Sequence, residues 1–388
     1  MTTSTISAQH AAAQSLSQGT AGTALLRIER ALTAAGTWQD AHVALVLATS
    51  GPVDGSPSGC LVHGAPALRF VLHTATADGE PRYQHAARTL DRHLHRITRS
   101  RLDTAQARIA HETPGTFDEY DLFYGLTGLG LILLRTAPAS DTLAAVLTYL
   151  SRLATQPLTL DGLPAPGWWA ARDPDPLSPT PGGHANLGLA HGAAGILAFL
   201  ALAARAGHTV DGHHDAITSL CAWFDQWRQD SDDGPWWPQW LTRDDLRAGH
   251  PAQPGPGRPS LCYGTPGIAR ALQLAAIATA DPARQADAEH AFATCLTGPR
   301  LATLPDAGLC HGLAGIYQAA TRVAADAITP AIGTHLPELA ATLTAQAGAT
   351  DGSTALLTGD TGVQLVLESA RRAAAPPLSG WDSCLLLS

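Results

Sequence analysis

The chain has 388 residues, 45% of them hydrophobic and 15% charged, with a formal net charge of -9. That length buries one large core or two ordinary ones, and an acidic balance with no Lys/Arg run longer than a pair argues against nucleic acid as a partner. Met1 to Leu16 lack the apolar stretch of a signal peptide, and the longest strongly apolar run, Ile196 to Ala204, is too short to span a bilayer, so a cytoplasmic protein without a transmembrane segment is expected.

Short turns holding two glycines or a Gly-Pro recur along the chain. They are Gly19-Thr20-Ala21-Gly22, Gly64-Ala65-Pro66, Gly125-Leu126-Thr127-Gly128, Gly192-Ala193-Ala194-Gly195, Gly264-Thr265-Pro266-Gly267, Gly312-Leu313-Ala314-Gly315 and Gly359-Asp360-Thr361-Gly362. Their first glycines stand 45 to 72 residues apart, and the second turn is the least regular. Each turn leads into an apolar run, clearest in Ile196 to Leu202 and Ile268 to Leu274; a helix apolar nearly all round is a buried one. The segments before the turns are amphipathic instead. Ala87 to Leu102 sets Leu90, Leu94 and Ile97 among Arg and His, and Ile217 to Trp227 sets Leu220, Phe224 and Trp227 among polar residues.

Seven buried helices alternating with seven amphipathic ones predict an all-α fold, an α/α toroid of two concentric rings in one domain over 1–388. Strand signals are sparse and alanine is abundant. Two long Pro/Gly-rich loops interrupt the pattern. Asp161 to Asn186 contains Trp168 and Trp169, and Asp232 to Ser260 contains Trp236, Trp237 and Trp240. Such loops either carry function or plug the rim with aromatic side chains.

The six cysteines, Cys60, Cys221, Cys262, Cys295, Cys310 and Cys384, are scattered and carry no secretion signal, which argues against a disulfide framework. Cys262 and Cys310 hold matched places, each two residues before the first glycine of its turn, and His311 follows Cys310. Cys262, Cys310 and His311 make a three-ligand set for zinc with one open position, the pattern of a catalytic site. Both cysteines precede helix starts, whose dipole favours thiolate. The plainer reading is a buried cysteine beside a satisfied histidine. Other polar residues fall on the same end of the scaffold: His191 directly before Gly192, Asp121 four residues before Gly125, and Arg258 four residues before Cys262. Taken singly, a capping Asp, a core His and a solvated Arg would explain them; their convergence points to a site.

The sequence resembles the LanC lanthionine synthetase cyclases. The resemblance lies in Tyr120-Asp121-Leu122-Phe123-Tyr124-Gly125-Leu126-Thr127-Gly128, in Asn186-Leu187-Gly188-Leu189-Ala190-His191-Gly192, in Arg258 with Cys262-Tyr263-Gly264-Thr265-Pro266-Gly267, and in Cys310-His311-Gly312-Leu313-Ala314-Gly315, and runs on to Trp381-Asp382. It implies an α/α toroid with one catalytic zinc per chain, held by Cys262, Cys310 and His311. The implied reaction is intramolecular addition of a cysteine thiol of a dehydrated precursor peptide, leader plus core, to dehydroalanine or dehydrobutyrine, giving a lanthionine or methyllanthionine ring. By the same resemblance His191 is the acid/base, Asp121 and Arg258 orient or polarise, with Asp121 a partner of His191, and Tyr263 stands behind the ligands. A separate dehydratase is implied, and any peripheral attachment to a membrane would be made through a complex.

Competing readings are a silent LanC-like scaffold that binds peptide, another toroid enzyme, and a relative that adds glutathione to dehydrated proteins. The intact ligand set argues against the scaffold. The absence of an Asp among the ligands argues against a zinc prenyltransferase β-subunit, and Asp121 without a second carboxylate argues against a glycosidase.

Overall fold

The structure, a computed structural model, describes residues 6–175, 177–347 and 353–388. The expectation about Met1 to Leu16 therefore falls partly outside the described residues, as does Pro176 of the first long loop.

Seven helices form an inner ring: Thr20–Leu32, Gly64–Thr74, Leu126–Thr136, Ala193–Arg205, Thr265–Ala278, Leu313–Asp326 and Asp360–Arg371. Helices before each turn alternate with them on the outside: the short Ala8–Ala13, then Trp38–Ala48, Gln84–Ala110, Asp141–Thr155, His213–Trp227, Pro282–Thr294 and Leu336–Gln346. The toroid expected from the glycine spacing is the observed fold. The fourth inner helix is buried from Ala193 to Ala203, because it touches neighbours on every side. The outer Gln84–Ala110 buries one stripe, Leu90, Leu94, Ile97, Leu102 and Ala105, and turns its charged face to solvent.

The turns share a longer signature than their glycines. Each has a buried leucine three residues before its first glycine: Leu16, Leu61, Leu122, Leu189, Leu261, Leu309 and Leu356. Neighbouring turns are tied by backbone hydrogen bonds, Leu16 N to Val62 O (2.9 Å), Leu122 N to Ala190 O (3.0 Å), Ala190 N to Cys262 O (3.3 Å), Cys262 N to Cys310 O (3.4 Å), Cys310 N to Leu357 O (2.9 Å) and Leu356 N to Ser17 O (2.8 Å). The last of these joins the seventh turn to the first and closes the ring. The second glycine of a turn is required by close approach. A Cβ on Gly267 would lie 2.1 Å from Leu261 O and 3.0 Å from the Leu189 side chain of the preceding turn; on Gly315 the carbonyl contact would be 2.0 Å.

The second turn departs from this pattern. It has Ala67 in place of a second glycine, and Gly64 takes φ 73°. Cys60 and His63 exchange backbone hydrogen bonds (3.0 and 3.2 Å), and Ala65 N bonds Asp54 O (2.8 Å).

Three short antiparallel ribbons occur that the sequence reading did not foresee: Leu158–Leu160 with Leu163–Ala165, His184–Asn186 with Trp240–Thr242, and Gln229–Ser231 with Gly234–Trp236. Segments of three residues are too short to show an alternating pattern. The ribbons and the long loops are pinned by buried indoles. Trp169 Nε1 donates to Gly182 O (3.1 Å) and Trp237 Nε1 to Phe224 O (2.7 Å), while Trp168 packs edge-on against Trp223. The C-terminal Trp381–Leu385 is buried against the inner helices, where Asp382 accepts from Arg322 (2.6 and 2.7 Å) and Gln318 (2.7 Å). No helix among the described residues is long and apolar enough to cross a membrane.

Candidate active site

The residue just before each first glycine stands at the start of an inner helix. In chain order these are Gln18, His63, Tyr124, His191, Tyr263, His311 and Thr358, and they line the mouth of the ring. The hydrogen bond from Cys262 N to Cys310 O sets the fifth and sixth turns side by side. As a result the Sγ of Cys262, the Sγ of Cys310 and a ring nitrogen of His311 lie within 4.8 Å of one another. Cys262 is buried, whereas Cys310 and His311 are half-buried and open toward the mouth.

The donor set fits a small tetrahedral cation. Around zinc, two thiolates would sit ~3.8 Å apart and a thiolate and an imidazole nitrogen ~3.6 Å apart, by the usual bond lengths. Cys310 Sγ is 3.4 Å from His311 Nε2. The electrostatics agree. Hydrogen bonding from Cys262, and then from His311, holds the Cys310 thiol well below its ordinary value. Cys262, the donor of that pair and fully buried, is pushed up. The bond to Cys310 raises His311. The neighbourhood thus favours one thiolate before any cation is added. The other cysteines behave differently: burial pushes Cys60, Cys221 and Cys295 to about 11, as inert core thiols.

His191 sits one turn away in the ring. Its Nδ1 donates to Asp121 Oδ2 at 2.6 Å, so the second nitrogen, Nε2, is left as an acceptor. Asp121 has a side chain with no solvent exposure. Burial raises its carboxyl, and His191 with the amides of Tyr124 (2.6 Å) and Gly125 (2.7 Å) oppose that shift by hydrogen-bonding the charged form. Aromatic rings surround the imidazole. Tyr124 stacks on it at 6.1 Å, Phe117 and Phe123 meet it edge-on at 5.4 and 5.7 Å, and Tyr263 lies at 5.7 Å.

The structure brings Cys262, Cys310, His311, His191, Asp121 and Tyr263 together. Tyr263 is raised by burial and packs edge-on against Trp240. Arg258 is the outlier. It is exposed, and its positive charge acts on Cys262 and His311 from the rim without a hydrogen bond to either among the described residues. Sequence reasoning missed the aromatic wall of Phe117, Phe123 and Tyr124. It also missed His63, whose Nε2 lies 3.0 Å from Asp54 Oδ2 in the second turn. The signal that would have found Tyr124 and His63 is their place two residues after the recurring leucine.

Comparison with known proteins agrees with this architecture. The sequence model described as lanthionine synthetase C-like protein matches residues 10–386. The solved structure of nisin cyclase superposes with a TM-score of 0.80 at 20% sequence identity, covering 97% of this chain and 92% of that one, a likeness of fold. No curated protein matches the chain.

Proposed function

The chain belongs to the lanthionine synthetase C-like family, and from that premise we propose that it is a zinc-dependent lanthipeptide cyclase, its 388 residues acting as one unit on a dehydrated precursor peptide. The observation that carries this reading is the Cys262, Cys310, His311 cluster beside a buried His191–Asp121 pair. Cys262, Cys310 and His311 would hold the zinc. When bound, zinc acidifies a substrate thiol in the open position and keeps its sulfur nucleophilic at neutral pH.

The chain's own groups supply the rest. Asp121 fixes the tautomer and orientation of His191, so that Nε2 faces the mouth ready to take the proton from the substrate thiol. The sulfur then bonds to the β-carbon of the dehydro residue. The π pair moves onto the α-carbon and its carbonyl oxygen, and the proton carried by His191 is returned to the α-carbon. Nothing is lost or oxidised, so substrate and product have equal mass. The Arg258 charge at the rim offsets the transient enolate. Tyr263, Phe117, Phe123 and Tyr124 hold the imidazole and screen it from water. A separate dehydratase supplies the alkene.

Metal analysis with thiol capping tests this. The wild-type protein should carry about one zinc per chain and should remove the free thiol of a dehydrated, cysteine-containing peptide without changing its mass. Folded protein free of zinc after purification without chelators would end the metal assignment. Zinc-loaded protein that leaves the thiol as reactive as in the enzyme-free control would return the chain to the scaffold reading.

A further inference from the structure

In a chain of net charge -9 without a single lysine, one outer helix is basic. Gln84–Ala110 carries Arg88, Arg92, Arg96, Arg99, Arg101 and Arg108 against Asp91 and Asp103. Arg88, Arg92, Arg96 and Arg99 are exposed and follow one another at three- or four-residue steps, which places them on one face. None of these four has an acidic ion-pair partner among the described residues. Arg92 reaches only Thr89, and Arg96 reaches the Gly55 carbonyl and His93. Asp91 is already engaged by Arg69 at 2.6 Å. Arg92, His95, Arg96 and Arg99, with Ser100 and the two aspartates, form one open patch on the surface of this helix.

The stripe leads to the mouth. Arg96 holds the Gly55 carbonyl at 2.6 Å and Arg101 the Pro57 carbonyl at 2.9 Å, both in the loop that precedes the second turn. Arg101 also holds the Tyr124 carbonyl, and Tyr124 is the ring stacked on His191. From Arg92 to Arg101 the helix rises about 14 Å, a span that about four extended residues cover. Unpaired guanidiniums on a surface that otherwise repels anions select for negative charge and steer it. A nucleic-acid footprint needs a wider basic face than one helix in an acidic protein.

We propose that this stripe docks an acidic segment of the peptide substrate, lying a few residues from those that become the ring. The inference rests on the cyclase reading, but its test does not use catalysis. The probe is a fluorescein-labelled hexaglutamate peptide, with a glycine–serine peptide of equal length as control. Binding is read by fluorescence anisotropy at low and physiological salt. Wild type should bind hexaglutamate and not the neutral peptide, more weakly as salt rises. R92E/R96E/R99E should bind at least about tenfold more weakly, as should R92E/R99E, which spares the Gly55 contact. R27E/R152E/R247E, an equal charge change elsewhere, should stay within about twofold. Zinc content should be the same in all four proteins, so loss of binding here is distinguishable from failure of the metal site. Equal hexaglutamate affinity in wild type and the stripe variants would overturn the proposal. So would no binding by wild type at low salt, or tighter binding of duplex RNA than of hexaglutamate.

Discussion

The third to sixth turns and the seventh, first and second turns share one plan, which only the second turn breaks with Ala67 and the positive φ of Gly64, and they differ in what stands on it. Before the glycine the first group carries Phe123-Tyr124, Ala190-His191, Cys262-Tyr263 and Cys310-His311; the second carries Leu357-Thr358, Ser17-Gln18 and Val62-His63. The leucine is buried in all seven, and the hydrogen bonds that link Leu356 to Ser17 and Cys310 to Leu357 are as short as any in the reactive half. The long loops and their ribbons, by contrast, attach only around the third to fifth turns. Scaffold and chemistry are therefore written at different positions of the same repeat: leucine and glycines make the ring, and the two residues between them are free to vary.

Breaking the reactive half should have the largest effect. Cys310→Ala removes one of the three clustered donors proposed to hold the metal, so zinc and cyclisation should vanish together, the rate falling to that of the free peptide. Zinc content at the wild-type level with full activity would refute the ligand assignment. His191→Ala comes next. It leaves the three-ligand cluster in place, so zinc should stay while the rate drops by about 100-fold, within the usual range for a positioned acid or base. Asp121→Asn should fall in the same direction, since an amide can no longer stabilise the protonated imidazole. Single-turnover rates alongside metal content would separate these cases, and an unchanged rate in His191→Ala would reassign the proton transfer.

Much of this was legible in the sequence for a physical reason. Close packing at a ring axis forces glycine at fixed offsets, and a thiolate–imidazole site needs residue types that stand out against an alanine-rich background. The seven turns and the set Cys262, Cys310, His311 could thus be read directly. The Asp121–His191 bond joins residues 70 apart in the chain; only the resemblance implied that pairing, and what makes it physical is the bond from Leu122 N to Ala190 O that sets the two turns side by side. Leucine is too common a residue to notice three places before a glycine until the ring shows all seven in the same place. The tryptophan loops could not be divided between packing and function by composition; burial assigns Trp168, Trp169, Trp236 and Trp237 to packing and leaves Trp240 against Tyr263.

The frame positions sharpen the comparison from the other side. Leu16→Ala in the first turn and Leu261→Ala in the fifth should each cost about 2–5 kcal/mol of stability, the range for a buried leucine truncated in a packed core. Thermal or denaturant unfolding should show similar losses for both, because both side chains are buried to the same degree. Below the transition, Leu16→Ala should cyclise at the wild-type rate per folded molecule, while Leu261→Ala, adjacent to Cys262, should also lose metal affinity. A much smaller destabilisation at Leu16 would mean that the ring is not closed equally all round.

The smallest effect should come from the mouth positions of the silent half. Gln18 and Thr358 occupy the places of His191 and His311 in their own turns, and both side chains are exposed. Neither makes a side-chain hydrogen bond to the reactive cluster among the described residues. Surface changes of this kind usually stay within about 0.5 kcal/mol, so Gln18→Ala and Thr358→Ala should leave zinc content and stability as they are. The informative quantity is the KM for a long peptide against that for a short one. If the mouth half opposite the thiolates takes no part in holding substrate, both values stay unchanged; a rise in KM for the long peptide alone would extend the binding surface across the ring, toward His63 and the arginine stripe beside it.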